Sequence, residues 1–132
     1  MTNAVARLLR PAALLRLEGA VILVVAILWY WQLGASWLLF ALLLLFPDLG
    51  ALGYLAGGRL GAACYNATHT LGVPTVLLLS GLQSGSLLAP AIATIWFAHI
   101  GMDRLVGYGF KEAPSTEPDA PRAATLGFPV MR

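Results

Sequence analysis

The feature that most constrains this chain is a set of four apolar stretches, over 14–34, 36–55, 61–82 and 86–106. Each is close to the roughly 20 residues that an α-helix needs to cross a bilayer's hydrocarbon core. Only 11% of the 132 residues are charged and 59% are hydrophobic, whereas a soluble domain carries about 25% charged residues. So few polar side chains cannot make a water-facing surface. The expected fold is all-α, an integral membrane bundle of four transmembrane helices over 1–111. The connections Gly34-Ala35-Ser36, Gly57-Gly58-Arg59 and Gln83-Ser84-Gly85-Ser86 are short, which makes consecutive helices antiparallel neighbours. Residues 112–132 carry Pro114, Pro118, Pro121 and Pro129 among mixed charges and read as an irregular cytoplasmic tail.

The basic residues set the expected topology. Arg7 and Arg10 precede the first stretch, Arg16 lies at its start, and Arg59 lies in the second loop. Arg104, Lys111, Arg122 and Arg132 lie at or beyond the end of the fourth. With four crossings all eight fall on one side, which the positive-inside rule makes the cytoplasm, together with both termini. Arg7 to Trp31 has the outline of a signal peptide, but no small-x-small cleavage site follows, so the segment reads as a retained helix with Trp29, Tyr30 and Trp31 as an interfacial belt. Tyr54 and Tyr108 read as belt aromatics too. A formal charge of +2 without a dense basic patch argues against nucleic acid. Cys64, the one cysteine, reads as an inert thiol in an apolar stretch. No phosphate loop follows Gly57-Gly58.

Polar residues within apolar spans are costly and call for a reason. Glu18 lies early in the first span, Asp48 late in the second, Tyr65, Asn66 and His69 early in the third, His99 and Asp103 late in the fourth. Alternating helix directions bring all of them to the cytoplasmic side. Tyr65 and His69, and likewise His99 and Asp103, are four residues apart and share a helix face. Pro47 deprives the Leu43 carbonyl of its partner, so the second span should bend or break just before Asp48. Pro74, expected inside the third helix, frees the Thr70 carbonyl beside His69.

Two imidazoles with two or three carboxylates suit a divalent ion such as zinc, manganese or iron, which can activate water for hydrolysis. The expected ligands are Asp48, His69, His99 and Asp103. Glu18 would be a further ligand or general base, and Tyr65, Asn66 and Arg104 would orient or bind substrate. Plainer roles stand beside these. The acids can pair with Arg16, Arg59 and Arg104 and the histidines can hydrogen-bond across helices. Glu18 can cap or snorkel, and Arg104 and Lys111 can anchor the inner surface.

Several short motifs resemble a known family: Arg16-Leu17-Glu18; Phe46-Pro47-Asp48-Leu49 with Gly53-Tyr54-Leu55; Gly61-Ala62 with Tyr65-Asn66 and His69; and His99-Ile100-Gly101-Met102-Asp103-Arg104 with Gly107-Tyr108-Gly109-Phe110-Lys111. Over roughly 14–111 they are similar to the bacterial membrane-protein family catalogued as domain of unknown function 4260. The resemblance implies an inner-membrane protein and brings no activity with it. Phe110 stands where that family often has leucine, and Ala124-Thr125-Leu126-Gly127 lacks the histidine of its terminal Thr-His-Leu-Gly. A third site histidine is therefore not expected. A fainter similarity links Pro47-Asp48-Leu49 and Tyr65-Asn66-x-x-His69 to membrane-bound metal-dependent hydrolases, though Gly50 stands where they carry a second aspartate.

The expectation is a small multi-pass membrane protein with a polar site, a metal-dependent hydrolase-like centre acting on a membrane substrate. The alternative is a non-catalytic subunit whose polar cluster fixes helix packing or binds a partner membrane protein. A small transporter, which four helices could form only as a homo-oligomer, ranks third.

Overall fold

The computed structural model describes residues 10–114. Of the expected tail, 115–132 lie outside the described residues, as do Arg7, Arg122 and Arg132. Among the described residues the chain is all-α, with five α-helices, one 3₁₀ helix and no strand.

Helix α1, Pro11–Leu33, has proline in its first turn, where a missing N–H costs nothing. Helix α2, Trp37–Leu43, starts at Ser36, whose hydroxyl faces the Leu39 amide. The turn between them is closed by Tyr30, which donates to the Ser36 carbonyl at 2.6 Å and packs its ring against Trp37 and Phe40. Tyr30 is therefore fully buried, while its expected belt partners Trp29 and Trp31 stay exposed.

The second span breaks where Pro47 predicts. After α2 the chain tightens into a 3₁₀ helix, Phe46–Ala56. Three residues per turn place i and i+3 in line, so Gly50 and Gly53 form one stripe. That stripe faces helix α3, Gly58–Thr68. A Cβ at Gly50 would meet the Cys64 carbonyl at 2.9 Å, so only glycine lets the two backbones approach this closely. Opposite, the Tyr54 ring covers Gly61.

The third span differs from the single helix expected over 61–82. It is two helices, α3 and α4, the latter Gly72–Ser84. An unbroken helix would drive the Pro74 ring into the Thr70 carbonyl. With the break at 69–71, Pro74 falls in the first turn of α4 instead.

Helix α5, Leu88–Val106, is the hub. Its buried positions Ala91, Ala93, Thr94, Ile95, Ala98, His99, Ile100 and Gly101 are mostly small, and it packs on α1 and α4. A Cβ at Gly101 would stand 2.7 Å from the Leu23 nitrogen and 2.8 Å from the Gly19 oxygen. Outer faces are apolar, with Leu17, Val25, Leu38, Leu42, Leu55, Val76 and Leu87 exposed. Two segments, Pro11–Leu33 and Trp37–Ala56, are long and apolar enough to cross a membrane.

Gly101→Val should lower the thermal midpoint of the purified protein, at a cost of about 1–3 kcal/mol for overpacking against fixed backbone. Gly109→Ala, with nothing within 4 Å of the added carbon, should leave the midpoint unchanged.

Candidate metal centre

Three elements deliver one side chain or more to a single point. Asp48 lies in the first turn of the 3₁₀ helix, placed there by the break at Pro47. His69 is the residue on which α3 ends, with φ −105° and ψ 10°. His99 and Asp103 lie one turn apart on α5.

The donor atoms converge closely. His69 Nε2 is 3.1 Å from His99 Nε2, 3.4 Å from Asp48 Oδ1 and 3.3 Å from Asp103 Oδ2. His99 Nε2 is 3.5 Å from Asp48 Oδ1 and 3.6 Å from Asp103 Oδ2. All four residues offer a donor atom within 4.8 Å of the others. The four histidine–aspartate gaps are longer than ordinary N–H···O bonds, about 2.7–3.2 Å. They match the spacing of ligands around an ion, since four donors at about 2.0–2.2 Å from a tetrahedral metal lie about 3.3–3.6 Å apart. The side chains of His99, His69 and Asp103 are 0%, 6% and 14% exposed, and that of Asp48 is 48% exposed, so the cluster is sealed from behind and open at Asp48.

His69 is oriented for ligation. His69 Nδ1 lies 2.8 Å from the Tyr65 carbonyl, which only accepts. The neighbouring Thr68 hydroxyl is itself 2.9 Å from that carbonyl and donates to it. Nδ1 therefore carries the hydrogen, and in its neutral form His69 aims its Nε2 lone pair into the cluster. His99 Nδ1 is buried with no hydrogen-bond partner among the described residues, so the His99 ring is oriented by what its Nε2 meets. The Tyr65 ring stacks on His69 at 3.8 Å and 12°, and its hydroxyl reaches Asp103 Oδ2 in a long 3.4 Å bond.

The other residues singled out in the sequence divide. Tyr65 stands against the cluster. Asn66 spends its amide on the chain beyond α5, donating to the Lys111 carbonyl at 2.8 Å and accepting the Lys111 N–H at 2.7 Å. Glu18 is exposed on α1 and is not among the converging donors. Arg104 is half-buried beside Gly19, where α1 crosses α5. Among the described residues no arginine pairs with an acid, and every ion pair is histidine with aspartate. Cys64 is half-buried against Gly53.

Sequence reading missed Thr68 and Trp96. Trp96 donates its indole N–H to the Thr68 carbonyl at 2.6 Å and so fixes the end of α3 that carries His69. Its place three residues before His99, on the same face of α5, was the available signal.

Fold and cluster define an all-α protein with a two-histidine, two-aspartate donor set where three helical elements meet. The family model described as Domain of unknown function (DUF4260) matches residues 12–118, and the chain belongs to that family. No curated protein and no solved structure matches.

Asn66→Ala should free the segment after α5. Hydrogen exchange at the Lys111 amide should quicken about tenfold, as expected for losing a bond worth about 1 kcal/mol or slightly more, while amides within α5 keep their protection.

Proposed function

We propose that this is a multi-pass protein of the bacterial inner membrane whose cluster holds one divalent ion, zinc, manganese or iron, and that the ion activates water to hydrolyse a membrane-borne substrate. The observation that carries the metal reading is the spacing of the four donors, 3.3–3.6 Å between each histidine and each aspartate. Two aspartates whose donor atoms lie within 4.8 Å of each other repel unless a cation lies between them. Asp48, His69, His99 and Asp103 are the ligands, and Tyr65 positions His69 and Asp103.

The membrane reading is supported by the apolar outer faces and the two segments of bilayer length. In the proposed topology α3 and α4 together make the third crossing and α5 the fourth. Arg10, Arg16, Arg59, Arg104 and Lys111 then face the cytoplasm with both termini, and the cluster lies near that side. The helix break at His69 leaves irregular backbone at membrane depth, tolerated where it is buried in protein or lines a cavity. A metal lowers the pKa of bound water to about 7. The half-exposed Asp48 side is the way in, and hydrolysis gives the hydroxyl of water to one fragment and its other hydrogen to the leaving group.

One contact favours a second reading. The 3.1 Å between the two Nε2 atoms is hydrogen-bond length, as in a metal-free polar lock that fixes packing in a non-catalytic subunit.

Elemental analysis of protein purified in detergent separates the two. The metal reading expects about one divalent ion per chain, lost in the His69→Ala/His99→Ala double variant, and a lower thermal midpoint after chelation. Metal in neither protein, with a variant that unfolds in detergent, would establish the polar lock.

A further inference from the structure

A second feature lies on the same face of α5 as the donors. Between α2 and its 3₁₀ continuation on one side and α5 on the other is a cleft of about 180 Å³, lined by Leu43, Phe46, Pro47, Ile92, Ile95 and Trp96. Its walls are apolar throughout. An apolar cleft of this size gives water few partners and suits an apolar occupant.

Register ties the cleft to the centre. Ile92, Ile95, Trp96, His99 and Asp103 recur at three- and four-residue intervals and so share one face of α5. Ile95 lies four residues before His99, about 6 Å along the axis. On the opposite wall Pro47 immediately precedes Asp48. On both walls, then, a cleft residue stands within one helical turn of a donor along the chain. Leu42, Leu45 and Leu49, chain neighbours of the wall residues Leu43, Phe46 and Pro47, are exposed and apolar, as a face turned to lipid in the proposed topology would be.

Beyond the donors, at the end of α5, the chain turns back and places Lys111 over the Tyr65 ring at 5.2 Å and over the Tyr108 ring at 5.4 Å. The two backbone bonds to Asn66 fix this position. No carboxylate pairs with the Lys111 ammonium among the described residues. Along α5 the order is apolar cleft, donor cluster, cation. An anionic lipid has the same order: acyl chain, linkage, headgroup.

We propose that the cleft and Lys111 form a binding site for an anionic lipid, with part of one acyl chain between Leu43, Phe46, Ile92 and Trp96, its linkage at the donor cluster and its headgroup at Lys111. This deepens the hydrolytic reading and rests on it for the role of the linkage, while binding is measured without it.

The test is photo-labelling in dioleoylphosphatidylcholine vesicles, using phosphatidic acid or phosphatidylcholine with a diazirine in one acyl chain, and mapping the labelled peptides. Phosphatidic acid should label 43–47 and 92–96. Ile92→Trp should cut that labelling about tenfold, or about 1.4 kcal/mol, while retaining the metal content of the wild type. Lys111→Glu should weaken labelling by phosphatidic acid and leave phosphatidylcholine unchanged. Labelling spread evenly over the exposed leucines, or unaffected by Ile92→Trp, would overturn the acyl site, as would a cross-link placing a second copy of the chain in the cleft. Equal labelling by both lipids would overturn the headgroup assignment. Cleft labelling by a protein without metal would sink the metal reading alone and leave the lipid site standing.

Discussion

Everything in this structure turns on the meeting of two aspartates and two histidines where two packed units barely touch otherwise. One unit is α5 with α1, α2 and α4 around it; the other is the 3₁₀ helix laid against α3. Across the gap run the Trp96 bond to the Thr68 carbonyl, the edge-on contact of Phe46 with Trp96, and the donor cluster. Two carboxylates converging on one point repel. A cation at the centre, as proposed above, would relieve that repulsion and fasten the two units together. The same groups would then serve chemistry and cohesion.

The donors arrive because regular helix fails in two places. Pro47 converts the second span to 3₁₀ geometry, which aligns Gly50 and Gly53 and lets α3 approach. Pro74 is met by a new helix start rather than a kink, and α3 ends at His69, where the ring can bend back to the Tyr65 carbonyl. Each break leaves irregular backbone, and each is covered by a neighbour. Trp96 caps the end of α3, and Tyr54 lies over Gly61.

Around this centre the packing is built mainly from small residues on α5 and from Gly19 of α1, with Tyr30, Ile95 and Ile100 buried among them and many other large apolar side chains turned outward. In the proposed membrane setting burial of large apolar groups between helices would gain little, and close backbone approach would supply the dispersion contact instead. The apolar cleft is where that close approach lapses, between α2 and α5, one turn from the ligands.

How much of this was legible in the sequence differs by level. Apolar stretches of bilayer length, the break at Pro47 and the eccentric polar residues Asp48, His69, His99 and Asp103 are local facts, because hydrophobic run length, a missing N–H and a charge in an apolar stretch need no partner to be noticed. Spacing also marked Tyr65 as a neighbour of His69. The sequence did not place the break of the third span at 69–71, since an internal proline can be met by a kink or by a new helix start, and packing chooses. Nor did it distinguish Asn66, whose amide holds Lys111, from Glu18, which stays outside the cluster; both are simply polar residues near a helix end. Convergence of four donor atoms, the tautomer of His69 and the cleft on the face of α5 depend on distances between residues up to 55 apart in the chain, from Asp48 to Asp103. Only the tertiary structure fixes such distances, because one-dimensional periodicity states which face a residue occupies and not what lies across from it.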